Sequence, residues 1–231
     1  MRLKTSRSTH NHYLTAIKGF TGWLVKDRRT GDNPLTHLSR LNASTDVRRE
    51  RHILPPAEFG RLIDAATQGV TVCGLSGSDR AMLYVTAAYT GLRAAELASL
   101  VEVSLDFDGN PLTVTIEAAY SKHRRKDVLP LHPDLARRLQ KWLSERSQDR
   151  DDENPVLPLR GLSDAKLWQG KWAEQRHAAK MLRHDLKVAG VPYADEAGKV
   201  FDFHALRHQF ISMLARAGVH PKSWLATLLS R

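Results

Sequence analysis

The sequence predicts a mainly α-helical protein with a small β-hairpin or sheet, an α+β arrangement in which helices supply most of the core. Three observations point there. Apolar residues recur at helical spacing in stretch after stretch. Only two short segments alternate apolar and polar residues with the period of a strand. The 231 residues are 42% apolar, enough for one large or two modest domains with a filled core.

Along the chain, Thr9 to Asp27 reads as an amphipathic helix, its stripe Tyr13, Ile17, Phe20 and Leu24 facing a core and Lys18, Lys26, Arg28 and Arg29 left polar. Gly31-Asp32-Asn33-Pro34 breaks it, so the first unit is small. Asp46 to His52, with Arg48, Arg49 and Arg51, reads as an exposed basic linker able to lie along a phosphate backbone, or as a solvated charge run. Leu54-Pro55-Pro56-Ala57-Glu58 starts a helix that buries Phe59, Leu62, Ile63 and Ala66. Ser78-Asp79 is expected to cap the next helix, apolar nearly all round through Met82, Leu83, Val85, Ala88 and Tyr89, and so the centre of the core. It stops at Thr90-Gly91, and Leu92 to Leu97 begins a new helical turn with Arg93 at the boundary.

Leu112–Glu117 and Asp127–Leu131 are the two strand patterns, joined through the basic tip Ser121-Lys122-His123-Arg124-Arg125-Lys126. Pro133 opens a helix with Leu135, Leu139 and Trp142 or Leu143 inward, and the acidic run from Gln148 to Pro158 reads as a loop. A long helical region is expected from Trp168 to Gly190, built on Trp168, Trp172, Met181, Leu182 and Leu186. His204 opens a helix anchored by Phe210, Met213, Leu214 and Ala217 and ended by Gly218. A last pattern, Trp224, Leu225, Leu228 and Leu229, runs to Arg231.

A net charge of +10 favours a polyanionic partner, nucleic acid or an acidic membrane face. The longest apolar stretch without a charge, Ala81 to Leu92, falls short of the roughly 20 residues that span a bilayer. With no secretory pattern after Met1, a cytoplasmic protein without membrane partners is expected. The single Cys73 has no disulfide partner within the chain and no base motif beside it.

Four residues carry the candidate chemistry. Arg93 and Arg207 can each offer paired N–H donors to one phosphate, a fork geometry that lysine lacks. Lys122, on a hairpin tip, can donate a proton to a leaving oxygen, and His204, three residues before Arg207 on one helix, can move a proton near neutral pH. The set suits phosphoryl transfer without a metal. No acidic cluster for two divalent ions stands out, and His204 with His208 lacks a third ligand for zinc.

Thr90-Gly91-Leu92-Arg93-Ala94-Ala95-Glu96-Leu97, then Ser121-Lys122 followed by Val128-Leu129-Pro130-Leu131, then His204-Ala205-Leu206-Arg207-His208 resembles the tyrosine recombinase, or phage integrase, family, with three motifs in the family's order. The resemblance covers most of residues 50 to 220, and Tyr13 to Phe20 is similar to the last helices of the family's core-binding domain. It implies the tyrosine-recombinase catalytic-domain fold over 54–231, a partial helical, SAM-like core-binding domain over 1–45 and a basic linker over 46–53.

The resemblance further implies DNA strand exchange through a 3′-phosphotyrosyl link, with no metal, nucleotide or other cofactor. Arg93 and Arg207 would clamp the phosphate, Lys122 would be the acid for the leaving hydroxyl, and His204 the proton-transfer partner, with Glu96 holding Arg93 and His208 in support. Arg48, Arg49, Arg51, Arg124, Arg125 and Lys126 would contact double-stranded DNA. Other recombinase protomers form a second class of partner.

The family's nucleophilic tyrosine follows the second arginine, after a Gly-His or similar pair. Here all five tyrosines, Tyr13, Tyr84, Tyr89, Tyr120 and Tyr193, precede His204. The expectation is therefore a truncated member, a mobile-element relic that binds DNA without cleaving it. The alternative is a non-catalytic DNA-binding protein or an inactive recombinase subunit.

Overall fold

The chain divides between Glu50 and Arg51 into two units. The computed structural model describes residues 5–121, 124–153, 165–174 and 177–218, with 147–153 as backbone only. Lys122, the Trp224–Leu229 pattern and part of the acidic run lie outside the described residues.

The first unit is built on α1, Arg7–Lys26. It starts two residues earlier than expected because Ser6 caps it, its hydroxyl accepting the Thr9 N–H at 3.1 Å. The predicted stripe is not the covered face: Tyr13, Ile17 and Phe20 are exposed and Leu14 is the buried residue. The reason is polar. Asn11 accepts from and donates to the backbone of Leu41, both at 2.8 Å, and the Lys18 ammonium donates to the carbonyls of Thr36 and Leu38. These contacts lay the returning chain over positions 11, 14, 15 and 18, a helical face of its own. A 3₁₀ turn, Ala43–Thr45, completes the unit.

The second unit begins with α2, Pro56–Thr67, whose proline sits in the first turn and whose Leu62 and Ala66 are buried. At its centre is α3, Gly77–Thr90, with eleven of fourteen residues buried. It packs against α2 and against three later helices, Ala94–Ser99, Pro133–Glu153 and Ala205–Arg216. Its cap is Ser76, whose hydroxyl accepts the Asp79 N–H, and not the Ser78-Asp79 pair the sequence suggested. A buried network ties α3 to α6 (His177–Val188): Arg80 forks onto Asp185 at 2.9 and 3.0 Å, and the Tyr84 hydroxyl donates to the same carboxylate at 2.7 Å. Burial first, and then the Asp185 charge, push the Tyr84 hydroxyl far above the ordinary tyrosine range.

The sheet has three antiparallel strands in the order β1-β2-β3: Leu105–Asp106, Thr113–Ile116 and Asp127–Pro130. The two-residue β1 was missed; it is too short to show a period. In register, Val114 faces Leu129, and both are buried. Helix α5, Pro133–Glu153, buries Leu135, Leu139 and Trp142 as expected but continues through residues read as a loop. Its acidic and basic side chains are compatible with helix, and no proline intervenes before Pro155.

The expected long helix from Trp168 is also corrected. Residues 165–174 are irregular, and only α6 is helical. The 168/172 spacing mimics a helical turn, but each indole is buried by its own hydrogen bond: Trp168 donates to the Asp79 carbonyl and Trp172 to the Trp168 carbonyl. In α7, Ala205–Arg216, the buried positions are Ala205, Leu206 and Gln209. The predicted anchors Phe210, Met213 and Leu214 are only partly covered, and Ala217 is exposed.

Candidate functional site

Helix α3 ends at Gly91, whose φ of 64° is left-handed and whose N–H caps onto the Ala87 carbonyl. A Cβ there would lie 2.5 Å from the Phe210 ring, so glycine serves both the turn and the close approach of α7. Buried Leu92 then anchors the chain, and Arg93 becomes the N-cap of α4, Ala94–Ser99. Buried Glu96 holds it twice: one carboxylate oxygen accepts the Arg93 backbone N–H at 2.8 Å, the other its Nη1 at 2.7 Å. Arg93 keeps 37% of its side chain exposed, and among the described residues its Nε and Nη2 have no acceptor. Arg93 therefore has donors to spare.

Arg207 enters from α7. Its Nη1 donates to the Gly91 carbonyl, which fixes the half-buried side chain beside the α3–α4 junction. Burial and then the neighbouring Arg93 charge lower its pKa, while Glu96 acts against them. A guanidinium remains charged through such shifts. Two arginines repelling one another across one carboxylate make a site that favours an anion.

His204 stands at the N-cap of the same helix, its ring edge-on to His208 with centroids 5.6 Å apart. Partial burial first, then the charges of Arg51 and His208, hold its pKa below the ordinary histidine value; Asp202 opposes them. A neutral imidazole at pH 7 can accept a proton. Asp202 is itself pushed up by burial, but the hydrogen bonds and charge of Arg51, with the Ala205 N–H, outweigh this and leave it below the usual carboxylate value.

The structure thus gathers Arg93, Glu96, Arg207, His204 and His208. Others of the sequence-derived set lie elsewhere. Arg124, Arg125 and Lys126 are exposed on the hairpin, Arg125 3.3 Å from Asp127 and Lys126 3.5 Å from Glu117. Beside the undescribed Lys122, buried Ser121 donates to Asp127 at 2.6 Å. Arg48 and Arg49 belong to the first unit, where the Arg48 Nε donates to both Asp46 oxygens and its Nη2 to the Thr5 carbonyl. Arg51 is turned inward onto Asp202.

Two residues at the site went unnoticed in the sequence, Asp202 and Gln209. An aspartate before a helical pattern is a capping signal that could have found the first. Nothing local marks the second. Among the described residues no group of three His, Cys, Asp or Glu side chains could hold a metal ion.

Residues 53–227 match the family model described as the phage integrase family. The chain belongs to the phage integrase family. The fold agrees, although identities below 20% carry the fold alone. The integrase of transposon Tn1549 in complex with transposon right end DNA superposes with a TM-score of 0.63 at 18% identity, covering 96% of this chain and 71% of that one. The XerH site-specific recombinase bound to difH in its pre-cleavage complex gives 0.60 at 16% identity, covering 93% and 56%. A lambda integrase dimer bound to a COC′ core site gives 0.57 at 17%, covering 92% and 68%. This phage-integrase chain thus spans little more than half the length of XerH. No curated protein matches it.

Proposed function

We propose that this integrase chain binds double-stranded DNA and grips one phosphodiester between Arg93 and Arg207, as the phosphate site of a site-specific recombinase. The observation that carries the reading is the pair of guanidiniums anchored at one junction, Arg93 by Glu96 and Arg207 by the Gly91 carbonyl, with donors left over for an anion. In strand cleavage, the negative charge that builds on the non-bridging oxygens of a five-coordinate phosphorus is what such donors stabilise. His204, neutral and one turn away, is suited to take the proton of an attacking hydroxyl. Lys122 is the proposed acid for the 5′-oxygen that leaves. His208 packs on His204 in support, and no cofactor is needed.

The net charge of +10 supports a polyanionic partner, and the named XerH, Tn1549 and lambda proteins were all seen with DNA. Residues 1–45 act in this reading as part of a core-binding domain, 46–53 as the linker and 54–231 as the catalytic domain. Arg48, Arg49, Arg124, Arg125 and Lys126 add phosphate contacts. Arg51 is not among them, because Asp202 occupies its fork. The proposed setting is the cytoplasm, with recombinase protomers as further partners.

We also propose that these 231 residues form no covalent link to DNA by themselves. Of the five tyrosines, Tyr84 is buried with its hydroxyl donating to Asp185, the Tyr89 ring packs edge-on against His132, the Tyr120 ring lies under the Lys166 ammonium and the Tyr193 ring under Arg183, and Tyr13 is an exposed residue of α1; among the described residues none hydrogen-bonds Arg93, His204 or Arg207. A nucleophile would have to come from another segment or protomer, since positioning and charge accelerate an attack without replacing the attacking group.

The test is duplex binding as a function of salt, paired with a nicked suicide substrate. Salt-sensitive retention without a covalent adduct is expected. No retention at low ionic strength would remove the DNA reading. An adduct abolished by substituting one of the five tyrosines would remove the claim of inactivity.

A further inference from the structure

The stretch from His204 to His208 is bracketed by two buried polar side chains to which the proposed chemistry gives no role, Asp202 before it and Gln209 after it. Both are held by one short segment, Arg51 to Leu54, although the partners lie 151 and 155 residues apart in sequence. Arg51 donates Nε and Nη2 to the two Asp202 oxygens at 2.7 and 2.9 Å. The Oδ1 of that carboxylate also accepts the Ala205 N–H at 3.1 Å, so a single group caps α7 and takes the guanidinium fork. One turn further on, the Gln209 carboxamide accepts the Leu54 N–H and donates to the Leu54 carbonyl, both at 3.0 Å, copying a rung of a sheet. Between these points the His52 N–H donates to the Val200 carbonyl at 3.3 Å. A helix tied at one point can still swivel; tied at its first and second turns to one strap, it cannot.

We propose that the Arg51–Leu54 strap, acting through Asp202 and Gln209, aims His204 and Arg207 at the bound phosphate. Asp202 and Gln209 are positioning residues, and Arg51 acts on the helix and not on DNA. The role rests on the DNA-phosphate reading above. The charged and titratable groups acting on His204 are Arg51, Asp202, Arg207 and His208.

Two variants separate aim from charge. Asp202→Asn makes the protein more positive and releases Arg51, so if Arg51 were a phosphate contact restrained by Asp202, duplex binding would tighten. A positioning strap requires the opposite, a weakening of up to about 10-fold, as expected when a gripping group is displaced by a fraction of an ångström to an ångström. Arg51→Lys keeps the charge but loses the fork. It should weaken binding as well, and should raise the His204 titration, followed by NMR of the ring, toward the ordinary histidine value as the released imidazole gains water.

Gln209→Glu, which keeps the acceptor and loses the donor, is the second route should Asp202→Asn fail to fold; it too should weaken binding. Wild-type or tighter binding in natively folded Asp202→Asn, or an unmoved His204 titration in Arg51→Lys, would overturn the proposal. Should the wild-type chain bind no duplex at all, the DNA reading fails, while the His204 titration in Arg51→Lys still decides whether the strap orients α7.

Discussion

Replacing Asp185 by alanine strips the centre of the second unit of its only charge partner for Arg80 among the described residues. The guanidinium has five N–H donors, and the fold supplies five acceptors: the two Asp185 oxygens and the carbonyls of Val70, Leu75 and Ala66. Asp185→Ala removes two charge-assisted bonds, at about 1.5–3 kcal/mol each, and orphans the Tyr84 hydroxyl as well. Both ionic side chains are at most 1% exposed, so water cannot reach Arg80 without distorting the core. Relaxation recovers part of the loss, and the expected cost is about 3–5 kcal/mol.

Urea unfolding followed by far-UV circular dichroism reads this as a lowered midpoint at constant slope. Tyr84→Phe, which leaves the ion pair whole, should cost only about 1 kcal/mol. Replacing Arg80 and Asp185 together with Met and Leu should recover much of the single-mutant loss, since an apolar pair needs no partner. An Asp185→Ala cost below about 1 kcal/mol, or a double variant no better than the single, would refute the view that the interaction is a closed, fully satisfied network.

Three further outcomes follow from local geometry. Gly91→Ala should destabilise by at least about 1–2 kcal/mol, because its φ of 64° is left-handed and the new methyl would meet Phe210; thermal unfolding reads this. The carboxyl of Asp202 is held below its ordinary value, so its contribution to stability is complete above about pH 4 and is lost as the pH falls through the lower folded value. Asp202→Asn should therefore flatten that acid limb of the pH–stability curve. On α1, Leu14→Ala should speed amide hydrogen exchange in the helix, whereas Phe20→Ser, at a position 59% exposed, should change stability by no more than about 0.5 kcal/mol.

What the sequence revealed and what it hid divide along a physical line. Helices α2, α3 and α5 could be read because apolar side chains choose their buried face, and that face repeats with the helical period. Helix α1 was assigned the wrong face because Asn11 and Lys18, binding the backbone of residues 36–41, decide which side is covered. Trp168 and Trp172 imitated a helix at the right spacing, yet are held by indole hydrogen bonds within irregular chain. At the site, Arg93 and Arg207 were visible through their local motifs. Asp202 and Gln209 were not, because what gives them meaning is a strap more than a hundred residues away.

The central claim, that Arg93 and Arg207 grip one and the same phosphate, is tested most directly by a double-mutant cycle on duplex affinity, measured by fluorescence anisotropy at several salt concentrations. Each alanine substitution should weaken binding by about 1.5–3 kcal/mol, roughly 10- to 100-fold. The double variant should lose clearly less than the sum, because both side chains serve one anion. The salt slope should fall by about one phosphate contact in total, near 0.9. Strictly additive losses, with the slope falling twice as far, would place the two arginines on separate phosphates and contradict the account.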